Sequence, residues 1–208
     1  MRVLLEFQNK PLLFEHPCRV IVCHDPGQLR ACFDAVERAI ADGYYLAGYL
    51  SYEAGYAFEP ALACGKGNGF PLMCLGVFDH FRHERPAARR LPFKVRDLRA
   101  SLTQDAYTRD IALIQDHIRD GDVYQITYCL KHLFSFQGSA YDLYCRLLAS
   151  QAVPYPAYIE TDRYHILSLS PEMFIHKRGP HVLTKPMKGS WPRGGLYHDL
   201  LGGLLLKF

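Results

Sequence analysis

One carboxylate and one amine near the end of the chain stand in a setting suited to chemistry. Glu172 closes the run Ser168-Leu169-Ser170-Pro171-Glu172, and Lys188 sits in the middle of Pro186-Met187-Lys188-Gly189-Ser190. No acidic residue occurs from Ile175 to His198, while Lys185 and Arg193 lie close in sequence. An amine among apolar and cationic neighbours loses part of its preference for the charged form and becomes a nucleophile near neutral pH. Glu172 follows a Ser-Pro step and precedes the apolar Met173-Phe174-Ile175. A carboxylate at such a strand entry, beside Ser168 and Ser170, can be held by hydroxyl or backbone donors and can then move protons. Each residue also has an ordinary reading, as a surface glutamate at a turn and a basic loop residue.

Other chemistries find less support. The ten histidines are dispersed, with no His-Glu-x-x-His and no Cys/His cluster at zinc spacing, so no metal ligands are assigned. Gly65-Lys66-Gly67-Asn68-Gly69 lacks the phosphate-loop pattern and reads as a turn. Seven cysteines, odd in number and without a Cys-x-x-Cys pair, imply reduced thiols and a cytoplasmic protein. No apolar run reaches the ~18 residues of a membrane span, and Glu6 comes too early for a signal peptide. A net charge of +3 is too small to imply a nucleic-acid partner.

The elements that must position the pair come next. Arg19 to Cys23 reads as a strand ending at Asp25-Pro26-Gly27-Gln28, where Asp25 caps a helix and Gln28 completes a capping box. Leu29, Cys32, Phe33, Val36 and Ile40 recur at helical spacing up to Gly43. Tyr44 to Tyr52 and Leu72 to Phe81 read as strands, with Gly55 to Pro71 mostly loop. Arg82 to Arg99 holds seven Lys/Arg against two acids and reads as a solvated connector. Thr103 caps a helix whose face is Tyr107, Ile111, Ile114 and Ile118. Alternation from Tyr124 to Phe136 predicts one long strand with a buried face. Ser139 begins a helix with Leu143 and Leu147 inward. Ala157 to Thr161, Tyr164 to Ser168, Met173 to Lys177 and Val182 to Thr184 read as four short strands. Strand runs with a few helices between them make the fold class α+β.

At the motifs the sequence resembles the chorismate-utilising enzyme family, and within it component I of the aminodeoxychorismate synthases. The family's Ile-x-x-Gly-Asp-x-Tyr-Gln stands as Ile118 to Gln125, its Gln-x-x-Pro-Tyr as Gln151 to Tyr155, its Ser-Pro-Glu as Ser170 to Glu172, and its Pro-[Ile/Met]-Lys-Gly-[Thr/Ser] as Pro186 to Ser190. Gly48-Tyr49-Leu50-Ser51-Tyr52-Glu53-Ala54-Gly55 is similar to the N-terminal part of such synthases. The resemblance implies an anthranilate synthase component I-like fold of antiparallel sheets flanked by helices, present here as its N-terminal part and the start of the chorismate-binding domain. The implied domains are residues 1–81, a basic linker 82–102, the start of the catalytic domain at 103–194, and an unrelated tail 195–208.

The resemblance also implies roles. Lys188 becomes the nucleophile on chorismate and Glu172 the acid/base, giving 4-amino-4-deoxychorismate for p-aminobenzoate and folate synthesis. Ammonia comes from a glutamine amidotransferase (glutaminase) subunit. Anthranilate synthases usually carry Ala at the place of Lys188. Some members hold tryptophan against a segment matching Pro154, Tyr155 and Pro156. Family members bind Mg2+ through glutamates in a C-terminal half that this sequence does not match, and the tail 195–208 reads as a frameshift product. The 208-residue chain is therefore expected to be inactive by itself and to expose strand edges and apolar faces. Two alternatives stand beside this reading: another chorismate user, an anthranilate or isochorismate synthase, or a non-catalytic remnant that binds only a partner or tryptophan.

Overall fold

The computed structural model describes residues 1–7, 10–59, 61 and 69–186. Lys188, the tail 195–208 and most of the expected glycine-rich turn fall outside the described residues. In chain order the elements are β1 (Arg2–Phe7), β2 (Lys10–Glu15), β3 (Arg19–Cys23), α1 (Leu29–Ala41), β4 (Tyr45–Leu50), β5 (Met73–Phe78), β6 (Lys94–Ala100), α2 (Gln104–Arg119), β7 (His132–Gln137), α3 (Ala140–Ser150), β8 (Tyr155–Glu160), β9 (His165–Ser170), β10 (Met173–Arg178) and β11 (His181–Lys185). The fold is α+β with every strand pair antiparallel. Two compact units result: one from Met1–Arg85 with the described part of Ala152–Phe208, the other from Pro86–Gln151.

The first unit is a layered body. A four-stranded sheet runs in the order β2-β1-β8-β9 and a three-stranded one in the order β3-β5-β4. Strand periodicity sends alternate residues of β5 to opposite sides. Met73 and Val77 join Ile21, Cys23, Leu29 and Ala39 in the cluster beneath α1, while Phe78 joins Val3, Phe14, Ala47 and Ile159 in a second cluster. Because β5 is covered on both faces, it reads as a continuous apolar run. Gly48 serves a close approach: a Cβ there would lie 2.1 Å from the Cys74 carbonyl oxygen.

The turn into α1 is built from its sequence. The Asp25 carboxylate accepts from Gly27 N at 2.9 Å, and a short 3-10 turn at Pro26–Gln28 leads into the helix. Leu29 is buried as its spacing predicts, but Ile40 faces solvent and Ala39 takes the inward place. Between β4 and β5 the chain makes a second 3-10 turn, Tyr52–Ala57. The β1–β2 hairpin is an addition to the strands expected from the sequence.

The segment expected to be a solvated connector is partly structured. Leu13 and Arg82 form a β-bridge, Arg82 pairs with Glu15 and Glu84, and Arg85 pairs with Glu6. Glu6 is only 2% exposed, so the guanidinium compensates a carboxylate removed from water. Further on, Lys94–Ala100 is a strand paired with β7, with a register irregularity between Arg96 and Arg99.

The second unit departs most from expectation. The long strand over Tyr124–Phe136 does not form: the ladder starts at His132, and Tyr124 is 92% exposed. Alternation alone does not make a strand, because its backbone donors and acceptors need a partner. Among the described residues, β6 supplies that partner only from His132 to Gln137. The cap of α2 is as expected, with Thr103 Oγ1 accepting from Ala106 N at 3.2 Å, yet α2 holds no fully buried residue. In α3, capped by Ser139, Tyr141 and Tyr144 are the buried face in place of Leu143 and Leu147. The Tyr141 hydroxyl donates to the Pro86 carbonyl at 2.6 Å and its ring stacks on Tyr144, which fixes the helix by its aromatic side.

Candidate active site

Strands β8 to β11 bring Pro154-Tyr155-Pro156 and Ser170-Pro171-Glu172 together in the first unit, while the motif Ile118 to Gln125 lies in the second. The β8–β9 ladder pairs Tyr155 with Ser170 and Pro156 with Leu169. Pro154-Tyr155-Pro156 and Ser170-Pro171-Glu172, sixteen residues apart in sequence, are therefore neighbours in space. Ser170 fixes the turn that carries Glu172: its hydroxyl donates to the Glu172 carbonyl at 2.9 Å and accepts from Glu172 N at 3.2 Å. The serine thus holds the backbone of Glu172 at an exposed turn. Strand β10 starts at the next residue.

The β10–β11 hairpin then returns the chain to the same place. Met173 pairs with Lys185, and the turn between the strands uses Gly179 at φ +58°. That register sets Pro186 beside Glu172 as the chain leaves the hairpin. Lys188 follows two residues later, outside the described residues, so the hairpin shows where the lysine segment departs and nothing of the amine itself.

A groove of about 620 Å³ lies alongside, lined by Phe7, Leu12, Tyr155 and Met173 together with Ile175 and Lys185. Phe7 and Tyr155 meet edge-on with centroids 6.5 Å apart. This contact supplies what the sequence left blank, namely an N-terminal strand placed against the Pro154-Tyr155-Pro156 segment. Its signal was the apolar run Val3-Leu4-Leu5 ending at Phe7. Pro154 is exposed and Pro156 buried, so Tyr155 alone of the three presents a side chain to the groove.

On the other side of β8, Tyr158 is buried in a polar network. Its hydroxyl lies 3.0 Å from His165 Nδ1 and 3.4 Å from Glu160, and Arg2 forms an ion pair with Glu160 at 2.7 Å. Burial, then the Glu160 charge, pushes the Tyr158 phenol up to about 12, so it stays a neutral donor. The network ties β1 to β8 and β9 and stiffens the ladder that carries Ser170.

Among the described residues no three His, Cys, Asp or Glu side chains converge as a metal site requires. Among them, too, no helix is long and apolar enough to cross a membrane.

The pattern of the chorismate binding enzyme family matches residues 24–199. The aminodeoxychorismate synthase component 1 of Klebsiella aerogenes is 26% identical over 172 residues, covering 70% of this chain and 38% of that protein. The protein of the same name from Bacillus subtilis is 32% identical over 95 residues, covering 46% and 20%. Anthranilate synthase component 1 of Streptomyces coelicolor is 29% identical over 195 residues, covering 70% and 38%. In three dimensions, a structure described as a 2,3-dihydroxybenzoate-specific isochorismate synthase of Bacillus anthracis superposes with a TM-score of 0.64 at 17% identity, over 99% of this chain and 54% of that one. That likeness concerns the fold. The chain spans about two fifths, or less, of the length of the curated relatives it matches.

Proposed function

The chain belongs to the chorismate binding enzyme family, and from that premise we propose that it is the N-terminal portion of an aminodeoxychorismate synthase component 1. The observation that carries the reading is Lys188 in Pro186-Met187-Lys188-Gly189-Ser190, directly beyond the hairpin whose register sets Pro186 beside Glu172. An alanine at this position would offer no nucleophile, and the lysine separates the aminodeoxychorismate branch from the anthranilate branch.

The proposed chemistry proceeds in two halves. The neutral Lys188 amine forms a bond to chorismate C2, the ring double bonds shift, and the C4–O bond breaks. Glu172 gives the departing hydroxyl its proton, so water leaves. Ammonia, delivered by a glutamine amidotransferase partner, then adds at C4. The double bonds shift back, the C2–N bond breaks, the lysine is regenerated and Glu172 recovers a proton. The product is 4-amino-4-deoxychorismate, a precursor of p-aminobenzoate and folate. Ser170 is a positioning residue here, since it pins the backbone of Glu172. The domain division at residues 82–102, a cytoplasmic location and the Mg2+ requirement belong to the same reading. Tyr155, in the groove with Phe7, is the residue through which tryptophan would be held.

The test is a chimera of residues 1–194 followed by the C-terminal half of the Klebsiella aerogenes relative, assayed with chorismate, ammonia and magnesium. Aminodeoxychorismate is the expected product, with loss of at least ~1000-fold in Lys188→Ala and a smaller loss, about 100-fold, in Glu172→Gln. Anthranilate or isochorismate as the main product, or full activity in Lys188→Ala, would overturn the assignment. The 208-residue chain alone is expected to give no product, because positioning of the substrate, worth ~7–11 kcal/mol of barrier, would be missing.

A further inference from the structure

A second recess opens on the three-stranded sheet, away from the groove beside Glu172. Its volume is about 330 Å³. Val20 and Val22 of β3, Cys74 of β5 and Tyr49 of β4 form its floor, and the β8–β9 turn, Thr161 to Tyr164, forms a wall. Three features set this recess apart from an ordinary surface hollow.

The floor is apolar and incompletely covered. Val20 and Val22 point away from the helix-side cluster and are 41% and 45% exposed, although both are β-branched residues in mid-strand. An aromatic run borders the floor. The Tyr49 and Phe70 rings stack 5.0 Å apart at 21°, and Phe70 meets Tyr164 edge-on at 5.1 Å. Within this wall the Tyr49 hydroxyl is buried and has no hydrogen-bond partner among the described residues. Such an orphaned donor is costly. Burial pushes the Tyr49 phenol up to about 12 and raises the Cys74 thiol, while the ammonium of Met1, which also lines the recess, acts on that thiol in the opposite direction. The rim carries charge. Arg163 lines it with its guanidinium in no ion pair among the described residues, and His24 stands at the same mouth. Asp162 is the one opposing carboxylate there.

We infer that this recess is a binding site for a small planar aromatic carboxylate, with the ring on Val20, Val22 and Cys74 beside the Tyr49–Phe70 stack and the carboxylate at Arg163 on the rim. A bidentate guanidinium–carboxylate contact fixes the orientation, and the apolar floor excludes the charged end. The volume suits a single-ring ligand. The site shares no lining residue with the Glu172 groove and stands independently of the reaction assigned there.

Titration with benzoate tests the assignment, read from the methyl resonances of Val20 and Val22. A saturable shift with a dissociation constant of about 1 mM or tighter is expected. Benzamide, which keeps the ring and loses the charge, should bind about tenfold more weakly. Arg163→Gln should weaken benzoate about tenfold and leave benzamide unchanged, whereas Asp162→Asn should tighten benzoate about threefold. Both variants alter exposed turn residues, and unchanged methyl positions in the ligand-free spectra confirm that the fold persists. No saturable shift up to ~20 mM benzoate, equal binding of benzoate and benzamide, or indifference of benzoate to Arg163→Gln would each overturn the inference.

Discussion

Strand β5 and the β10–β11 hairpin are both antiparallel ladders rich in apolar residues, yet they sit in opposite environments. Met73–Phe78 is covered on one side by α1 and on the other by the four-stranded sheet, and Met73, Val77 and Phe78 are almost completely buried. The hairpin carries Phe174 at 86% exposure and Val182 at 63%, and among the described residues its two strands pair only with each other. The difference lies in available cover, since both stretches have strand-forming sequences. Exposed apolar side chains gathered on one hairpin mark a surface suited to being covered. The hairpin is also the element that leads from Glu172 to Lys188. On the proposed reading, the chemistry therefore sits at the border between the closed body and the faces that the rest of a family member would cover.

The contrast can be broken or sharpened by substitution. The largest effect is expected from Phe78→Ala, which empties a site shared by two sheets and should cost about 3–5 kcal/mol in urea denaturation. The matching change Phe174→Ala in the hairpin should stay within about 0.5 kcal/mol. Equal losses would erase the distinction. Gly48→Ala comes next, since its methyl would meet the β5 backbone. We expect a loss of about 1–3 kcal/mol, or a shift of the β4–β5 pairing visible in amide chemical shifts. Arg85→Ala leaves Glu6 buried without its guanidinium. Because Arg85 is itself half exposed, we expect about 1–2 kcal/mol, with partial recovery in the double variant with Glu6→Gln.

A pH titration reads burial through titratable side chains. Tyr49 and Tyr158 are held at about 12 against an ordinary 10, chiefly by burial. A folded-state value above the unfolded one means that stability is intact below pH 10 and falls as pH rises from 10 toward 12. Tyrosinate absorbance should show these two ionising late among the 14 tyrosines, together with Tyr128, which its hydrogen bond to Asp110 also holds up at about 12, and in Tyr158→Phe one of the late steps should vanish.

Where the chain supplies its own partners, the sequence was legible. Strands β8 to β11 lie within about two residues of their expected bounds, because tight turns at Asp162-Arg163 and Arg178-Gly179-Pro180 set both register and pairing. The caps at Thr103 and Ser139 are local hydrogen bonds and were equally readable. The failures are non-local. Tyr124 to Lys131 alternates as a strand should but has no neighbouring strand among the described residues. Leu143 and Leu147 lose the inward face of α3 to two tyrosines whose packing no helical period encodes. Of the site, the motifs were visible but their meeting was not: the pairing of Tyr155 with Ser170 and the approach of Phe7 to Tyr155 depend on a four-stranded order that brings β1 beside β8. The basic segment misled because charge count suggests solvent, whereas Arg85 serves a buried carboxylate.

Amide hydrogen exchange on the purified chain tests the central contrast most directly, because it reads each ladder separately. The account predicts that the amides of Met73–Phe78 exchange at least ~100-fold more slowly than those of Met173–Arg178 and His181–Lys185. Comparable protection in the hairpin and in β5 would contradict it, and would mean that the segment leading to Lys188 already belongs to a closed core.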